Sequence, residues 1–161
     1  MKGYLANGLF SIADRMVNEV IAKKVREDFI GVKLYVPQEN EGINDKNAYA
    51  DSLMITKADY EVLMASDFLM AVIDGVEIDS GVAAEIGAFY TTGKPIFALY
   101  SDVRQQGRTN QKKIDALIAD GTENQFMYRN LFVIGMIKDS GGGVFSSIEE
   151  LSEAIANKFN K

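Results

Sequence analysis

Glu85 is the residue of this sequence whose surroundings most clearly suggest chemistry. It is the only charged residue in the stretch 81–92, which is predicted to be a helix, and its neighbours there are mostly apolar or small. A helix that is apolar on nearly every side is usually buried, so a lone carboxylate on it points into a cleft or suffers a large desolvation cost. Composition alone leaves a second interpretation, in which Glu85 lies at a solvated helix edge.

Two aspartates are further candidates, and each has a structural alternative. Asp79 precedes Glu85 at the end of a polar loop, where it could cap the helix by accepting backbone N–H bonds. Asp59 lies toward the carboxyl-terminal end of another predicted helix, where an acidic side chain opposes the helix dipole. This unfavourable position suggests a use, although exposed helical aspartates are common. Asp67 and Asp74 bracket a strand and are interpreted as edge residues.

Two aromatic residues near the N-terminus complete the set. Tyr4 lies on the first predicted strand, where a tyrosine usually belongs to the core, and Phe10 follows the turn at Asn7 and Gly8. Phe10 could stack on a planar ligand or pack on the sheet. Two carboxylates with a phenol nearby suit glycosyl transfer, in which one carboxylate attacks the anomeric carbon and another acid protonates the leaving group. The spacing does not distinguish this chemistry from a cluster of helix caps.

Missing residue types exclude several classes of mechanism. The 161 residues include no Cys and no His, which excludes thiol nucleophiles, serine–histidine triads and nearly every zinc or copper site. Neither G-x-G-x-x-G nor G-x-x-x-x-G-K-[ST] occurs, so the usual dinucleotide and phosphate cradles are missing. We therefore expect no metal and no cofactor.

Charge and hydropathy limit the partners and the location. The chain has 17 basic and 23 acidic residues, a net charge of -6, and its basic residues are scattered, so a nucleic acid is not an expected partner. No window approaches the ~20 apolar residues of a membrane span, and the N-terminus lacks the apolar run of a signal peptide. We expect a complete, cytoplasmic, soluble chain that forms a single domain over residues 1–161, without a membrane partner.

The elements that must position these residues alternate regularly along the chain. Short apolar runs separated by amphipathic stretches predict an α/β protein with a mostly parallel sheet. The predicted strands are residues 3–6, 32–36, 68–73, 95–100 and 131–137. The predicted helices are residues 11–28, 48–66, 81–92, 109–119 and 146–159. Open α/β sheets bind ligands at the carboxyl ends of their strands, so we expect the site at that edge.

Local signals mark individual elements. The first helix has apolar residues near helical spacing at Ile12, Met16, Val20 and Val25. Gly93 is placed to end the third helix, and Ser146 and Glu149 have the spacing of a capping box at the start of the last one. Long loops are predicted at residues 38–47 and 101–110, and a flexible turn at residues 140–143.

Several of these segments together resemble one enzyme family, the nucleoside 2-deoxyribosyltransferases. The resemblance rests on YLANGLF at residues 4–10, on Asp59, and on DSGVAAEIGAF at residues 79–89. It continues through YRNLF at residues 128–132, and the D-x-G-x-x-x-E-x-G block beginning at Asp79 is its most diagnostic part. The resemblance implies a flavodoxin-like five-stranded parallel sheet with helices on both faces, in agreement with the strands predicted from apolar runs.

The resemblance also implies roles for the candidate residues. Glu85 is implied as the nucleophile that attacks C1′ of a 2′-deoxynucleoside, giving a covalent intermediate and net retention, and Tyr4 orients it. Asp59 exchanges a proton with the leaving and incoming base. The implied substrate-binding residues are Asp79 and Asn130 at the deoxyribose, Gly81 in the same block as Asp79, and Phe10 at the base.

The implied partners are small molecules and further copies of the chain. The substrates are 2′-deoxynucleosides and free purine or pyrimidine bases, without a cofactor. Asn130 occupies the position from which the family reaches into a neighbouring subunit's site, which implies a homo-oligomer built from dimers, up to a tetramer or hexamer, with shared active sites.

Two alternative functions stay open at this point. The related 2′-deoxynucleoside 5′-phosphate N-hydrolases release the base by hydrolysis and hold the phosphate with a segment rich in Ser, Arg and Gly after the first strand. The corresponding segment here, ANGLFSIADR, offers only Ser11 and Arg15 and suits an uncharged 5′ end. A non-enzymatic flavodoxin-like binding module is the other alternative, because fold does not imply function.

Overall fold

One parallel sheet organises the chain. The computed structural model describes residues 1–45 and 49–159, and within these residues five strands pair in the order β2-β1-β3-β4-β5. The strands are β1 (Lys2–Ala6), β2 (Lys33–Tyr35), β3 (Phe68–Val72), β4 (Ile96–Leu99) and β5 (Gly143–Phe145). All four pairings are parallel, and this order is that of flavodoxin-like sheets. The predicted fold class is confirmed.

Helices of the described residues cover both faces of the sheet. They are α1 (Ile12–Asp28), α2 (Glu41–Asn44), α3 (Ser52–Ala65), α4 (Ser80–Tyr90), α5 (Gln111–Ala119), α6 (Leu131–Asp139) and α7 (Ile148–Phe159). Helices α1 and α7 pack on one face, and α3, α4 and α6 pack on the other. Side chains alternate along β1, so that Leu5 points toward the core under α1 and α7, while Tyr4 and Ala6 point toward the core under α3, α4 and α6. The candidate residues Tyr4, Asp59 and Glu85 lie on this second face.

The prediction of a fifth strand at residues 131–137 is wrong. This apolar run forms α6, and Asn130 caps it by accepting hydrogen bonds from the N–H groups of Phe132 and Val133. A short apolar run does not by itself distinguish a strand from a buried helix. The true last strand lies within and just after the predicted flexible turn: residues 140–142 make the turn, and β5 begins at Gly143. A Cβ on Gly142 would collide with the backbone of Ile96, so glycine permits this close approach.

The other predicted strands and helices are found with local differences, whereas the predicted loop at residues 38–47 contains the short helix α2. Helix α1 is confirmed, but Ile12, Met16 and Val20 are exposed, and the buried positions are Asn18, Ile21, Ala22 and Val25. Gly93 follows α4 with a positive φ of 68°, as expected for a residue that ends a helix. The predicted start of the second helix at Ala48 and the end of the loop at Asn47 lie outside the described residues, and α3 begins at Ser52.

The predicted capping box of α7 is displaced by one residue. The Glu150 carboxylate, not that of Glu149, accepts from the backbone N–H and the hydroxyl of Ser146, at 3.0 and 2.8 Å. Ser147 in turn accepts from the Glu150 N–H at 3.1 Å. The cap therefore uses both Ser146 and Ser147, which the capping-box spacing alone does not predict.

Within the described ranges, no helix combines the length and the apolar character needed to cross a membrane.

Candidate active site

Tyr4 and Glu85 form the centre of the site. Tyr4 lies on β1 and is fully buried, and Glu85 lies in the second turn of α4, which packs on β1 and β3. The Tyr4 hydroxyl donates a hydrogen bond of 2.6 Å to Oε1 of Glu85. A bond this short is typical of a hydroxyl that donates to a carboxylate. No residue in the described part of the chain donates to the other oxygen, Oε2, so that oxygen is available to a ligand.

Burial controls the ionisation of this pair. Desolvation raises the pKa of Glu85 to about 7, although the hydrogen bond from Tyr4 opposes the shift, and the negative charges of Asp59 and Asp79 raise it further. Burial, and then the charge of Glu85, raise the pKa of Tyr4 far above its ordinary range. Tyr4 therefore remains a hydrogen-bond donor at every physiological pH, whereas Glu85 changes its charge near neutrality.

A second phenol–carboxylate pair lies beside the first. The Tyr35 hydroxyl at the end of β2 donates to Oδ1 of Asp59 on α3 at 2.7 Å. The rings of Tyr4 and Tyr35 are 5.3 Å apart between centroids, and the two residues are register partners in the β1–β2 ladder. Burial raises the pKa of Asp59, and the bond from Tyr35 lowers it. The structure thus brings the three candidate residues Tyr4, Asp59 and Glu85 together.

Sequence reasoning missed Tyr35 and its partner Asn40. The amide nitrogen of Asn40 donates to the Tyr35 hydroxyl at 2.8 Å. The signal that could have found Tyr35 is its place at the carboxyl end of a strand. This signal has value only when β2 is known to lie next to β1, which the sequence does not state.

Asp79 and Gly81 form the start of α4. Oδ1 of Asp79 accepts from the N–H groups of Gly81 and Val82, at 2.8 and 3.1 Å, so Asp79 does cap the helix. A Cβ on Gly81 would lie only 3.0 Å from this oxygen, a tight contact that would push the Asp79 side chain by a few tenths of an ångström. Capping uses one oxygen of Asp79, and the structure shows no donor to the other from a described residue. The capping role thus leaves an acceptor for a ligand.

Phe10 and Asn130 lie outside this hydrogen-bonded group. Phe10 is 81% exposed and lines a cavity of about 380 Å³ with Leu9, Arg15, Gln38 and Asn44. Asn130 is exposed at the start of α6 and lines a cavity of about 440 Å³ with Ala83. Ala83 and Glu85 point to different sides of α4, because the side chains of residues two positions apart in a helix differ by about 200° in direction around its axis. Asn130 is therefore separated by α4 from the Glu85 of its own chain.

A buried asparagine holds the loop that carries Phe10. Asn18 of α1 accepts from the Asn7 side chain at 2.8 Å and donates to the Gly8 carbonyl at 3.0 Å. It also donates to the side chain of Gln38 at 2.9 Å, which joins this loop to the segment after β2.

The described residues contain no group of three or more Asp and Glu side chains that could hold a metal ion. What the arrangement offers is acid–base and nucleophilic chemistry by two carboxylates.

Comparisons with known proteins identify the family of this chain. The model of the nucleoside 2-deoxyribosyltransferase family matches residues 4–141. A conserved protein from Enterococcus faecalis V583 has 49% sequence identity and a TM-score of 0.90, with 98% of each chain covered. Comparison with curated proteins gives no match.

Two named enzymes share the fold at lower identity. A 2-deoxyribosyltransferase from Bacillus psychrosaccharolyticus has 19% identity and a TM-score of 0.67, covering 94% of this chain and 90% of its own. One from Leishmania mexicana has 23% identity and a TM-score of 0.61, covering 99% of both chains.

Proposed function

This chain belongs to the nucleoside 2-deoxyribosyltransferase family, and from that membership we propose that it transfers the 2-deoxyribosyl group of a 2′-deoxynucleoside to another purine or pyrimidine base. The observation that carries the proposal is the pair of phenol–carboxylate bonds, Tyr4 to Glu85 and Tyr35 to Asp59, side by side at one edge of the sheet. Such a pair provides one carboxylate for attack on the sugar and one for proton exchange with the base.

In the first half of the reaction, Oε2 of Glu85 attacks C1′ while the bond from C1′ to the base nitrogen breaks. Asp59 gives its proton to the departing base, and the sugar is held as an ester of Glu85. Tyr4 supports this step because it binds Oε1 and leaves Oε2 for the bond to carbon. In the second half, a new base attacks C1′, Asp59 recovers a proton from it, and Glu85 is released. Two inversions restore the β configuration.

The protonation states required are Glu85 ionised and Asp59 protonated. Burial raises the pKa of both carboxyls, and the charge of Asp59 raises that of Glu85 further. Two interacting carboxyls lose their protons in separate steps, so the pair holds a single proton over a range of pH. Because the charge of Asp59 raises the pKa of Glu85, this single proton lies on Glu85 in the free protein, and the proposed reaction proceeds from the form in which Asp59 carries the proton instead.

The remaining predicted residues bind the substrate in this proposal. Asp79 offers its free oxygen to the deoxyribose hydroxyls, and its charge is close enough to raise the pKa of Glu85. Gly81 holds Asp79 in place through its N–H group. The exposed ring of Phe10 forms a wall of the base pocket, where an aromatic ring can stack on a planar base.

Asn130 completes the site of a neighbouring subunit in this proposal. It is exposed and lies across α4 from its own Glu85. The next residues, Leu131 and Phe132, are 83% and 78% exposed, which is costly unless another surface covers them. A dimer-based homo-oligomer that covers them also carries Asn130 to a second site.

A single incubation tests the proposal against its alternatives. The protein is mixed with 2′-deoxyinosine and adenine, and the products are separated by chromatography. Transfer gives 2′-deoxyadenosine and hypoxanthine. Hypoxanthine with free deoxyribose and no new nucleoside indicates hydrolysis, and no conversion of these or other 2′-deoxynucleosides contradicts the enzymatic proposal.

A further inference from the structure

Tyr35 is bound in a chain of hydrogen bonds whose direction is fixed at every link. The chain starts at the Gly42 backbone N–H, which donates to Oδ1 of Asn40 at 3.1 Å. A backbone N–H can only donate, so this bond decides which end of the Asn40 amide is the oxygen. The NH₂ group of Asn40 therefore faces the Tyr35 oxygen, at 2.8 Å.

The direction continues to Asp59. An amide NH₂ can only donate, and a phenol has a single proton. The Tyr35 oxygen therefore accepts a hydrogen bond from Asn40, and the Tyr35 hydroxyl donates one to Oδ1 of Asp59 at 2.7 Å. An oxygen that accepts this bond is the carbonyl oxygen when Asp59 is protonated. The acid proton is then on Oδ2, to which no described residue donates.

We propose that Tyr35 is a positioning residue, which fixes the exchangeable proton of Asp59 on Oδ2 and presents it to the base. The inference rests on the proposed function, because it assigns a task within the proton exchange of the transfer reaction. Without the Tyr35 hydroxyl, the proton of Asp59 could be carried by either oxygen, and only one of them faces the base. Tyr35 does not itself touch the reacting atoms.

The same series of hydrogen bonds connects Asp59 to residues 38–44, the segment that lines the Phe10 cavity. Asn40 caps the start of α2, and Asn44 at the end of α2 donates to the carbonyls of Asn40 and Pro37, at 3.0 and 2.6 Å. Asn44 is also a wall of the cavity beside Phe10. The segment that lines the Phe10 cavity therefore also contains Asn40, whose NH₂ group fixes the direction of the hydrogen bond from Tyr35 to Asp59.

The electrostatic consequence has a definite sign. The ionisable groups that face Asp59 are Tyr35 from β2, Tyr4 from β1 and Glu85 from α4. The bond from Tyr35 lowers the pKa of Asp59 against the larger effect of burial. Its removal is therefore expected to raise the pKa of Asp59, because a hydrogen bond to the ionised form is lost.

The first test measures this shift without any substrate. The Asp59 carboxyl is titrated by ¹³C NMR in the wild-type protein and in Tyr35→Phe, with Asp59→Asn to assign the signal. The expected result is a titration at higher pH in Tyr35→Phe. An unchanged or lower pKa overturns the proposal, because the hydroxyl then does not act on Asp59.

The second test separates proton delivery from binding and folding. Transfer from 2′-deoxyinosine is expected to fall about tenfold in kcat for Tyr35→Phe, the loss typical of one hydrogen bond to a charged group, with little change in KM. Cleavage of an activated donor, 2-deoxyribosyl fluoride, is expected to change less than about threefold, because fluoride needs little help from an acid. An equal loss on both donors, or no loss on either, contradicts the positioning role.

Two further variants serve as controls. Asn40→Ser keeps a side chain that can cap α2 but is too short to reach Tyr35, so we expect a smaller loss with the same dependence on donor. In Ser152→Ala, a hydroxyl that donates to Asp28 at 2.7 Å on the opposite face of the sheet is removed, and activity is expected to stay within about twofold of the wild type because the proposed proton transfer does not use this bond. If the wild-type protein converts no 2′-deoxynucleoside, the proposed function fails and the role of Tyr35 in it fails too. If the wild type is active and both tests show no effect of Tyr35→Phe, only the role of Tyr35 is wrong.

Discussion

The two sides of α4 carry the same kind of hydrogen bond in opposite surroundings. Toward β1, Tyr4 donates to Glu85 at 2.6 Å from a fully buried position. Toward α6, Tyr90 donates to Asp139 at the same distance of 2.6 Å, but both residues are exposed. A short phenol–carboxylate bond is therefore not in itself a sign of an active pair. Burial distinguishes the first pair, because desolvation raises the pKa of Glu85 to about 7.

The side of α4 that faces α6 is suited to packing rather than to chemistry. It forms a groove of about 810 Å³ lined mainly by apolar and small residues, among them Ala83, Gly87 and Gly135. Leu131 and Phe132 project beside it. Small residues and projecting large ones in the same patch can fit each other across a two-fold axis. One helix thus separates a desolvated carboxylate from a surface suited to a second copy of the chain.

The largest effect is expected from removing the carboxylate on the buried side. Glu85→Ala should lower transfer by at least about 10³-fold, because covalent catalysis fails without its nucleophile. The matched control is Glu61→Ala, which removes an exposed glutamate of α3. Steady-state assays and thermal melts of both variants check this. Transfer by Glu85→Ala at more than a few per cent of the wild-type rate would exclude Glu85 as the nucleophile.

The next largest effect is expected at Asp59. Asp59→Asn keeps an acceptor for Tyr35 but has no acid proton, so transfer between natural nucleosides should fall ~10²- to 10⁴-fold. The loss should be smallest for a donor whose leaving group needs no proton. If an activated donor is cleaved as poorly as 2′-deoxyinosine by this variant, Asp59 has a structural role instead.

The opposite side of α4 is tested through Asn130. Asn130→Ser keeps an oxygen that can cap α6 and loses the amide, whereas Asn130→Ala loses both, so the alanine variant should also be less stable by about 1 kcal/mol. Both should reduce transfer, by about tenfold, because each loses a contact to the sugar comparable to one hydrogen bond. Thermal melts and transfer assays of the two variants separate the effect on stability from the effect on the site.

Mixing two impaired variants distinguishes a shared site from a site within one chain. When Glu85→Ala and Asn130→Ala subunits are allowed to exchange, a mixed dimer has one site with both wild-type residues, so about a quarter of all sites should be restored. Activity that never exceeds the average of the two separate variants contradicts the shared site.

The smallest effect concerns stability and needs no substrate. The carboxyl of Glu85 has a pKa of about 7 in the folded protein, against an ordinary value of 4.5. Between these values the folded state binds a proton that the unfolded state does not, so the contribution of Glu85 to stability falls as the pH rises from 4.5 to 7. Glu85→Gln should be more stable than the wild type at pH 8, by on the order of 2 kcal/mol, and this advantage should shrink toward pH 5. Urea unfolding at the two pH values measures the difference, and a difference independent of pH contradicts the raised pKa.

How far the sequence predicts this molecule depends on the range of the interactions involved. Strands β1 to β4 were predictable because their apolar runs are bounded by turns and helices within the same few residues. The run that forms α6 was not, because a seven-residue apolar segment fits either a buried strand or a helix, and the choice depends on Asn130 and on packing against α4. In α1, the apolar residues Ile12, Met16 and Val20 are exposed, so periodicity found the helix but not the side that faces the core.

The site shows the same limit. The meeting of Tyr4, Asp59 and Glu85 was predicted from a family resemblance, which carries information about residues distant in sequence. The local signal of Tyr35, its place at the end of a strand, is not sufficient, because its role exists only once β2 pairs with β1 and α3 brings Asp59 to its hydroxyl. The capping position of Asp79, by contrast, follows from local spacing, and the structure shows this cap.

Covalent trapping tests the central claim most directly. A 2′-fluorinated nucleoside should glycosylate the enzyme slowly and accumulate as a glycosyl ester, because the fluorine disfavours the oxocarbenium-like transition state of both half-reactions. After proteolysis, mass spectrometry is expected to find one fluorinated sugar per chain on the peptide that contains Glu85, with none in Glu85→Gln, and addition of free base should remove it as a nucleoside. A sugar attached to any other residue, or turnover of natural substrates with no adduct under any condition, would contradict the assignment of Glu85 as the nucleophile.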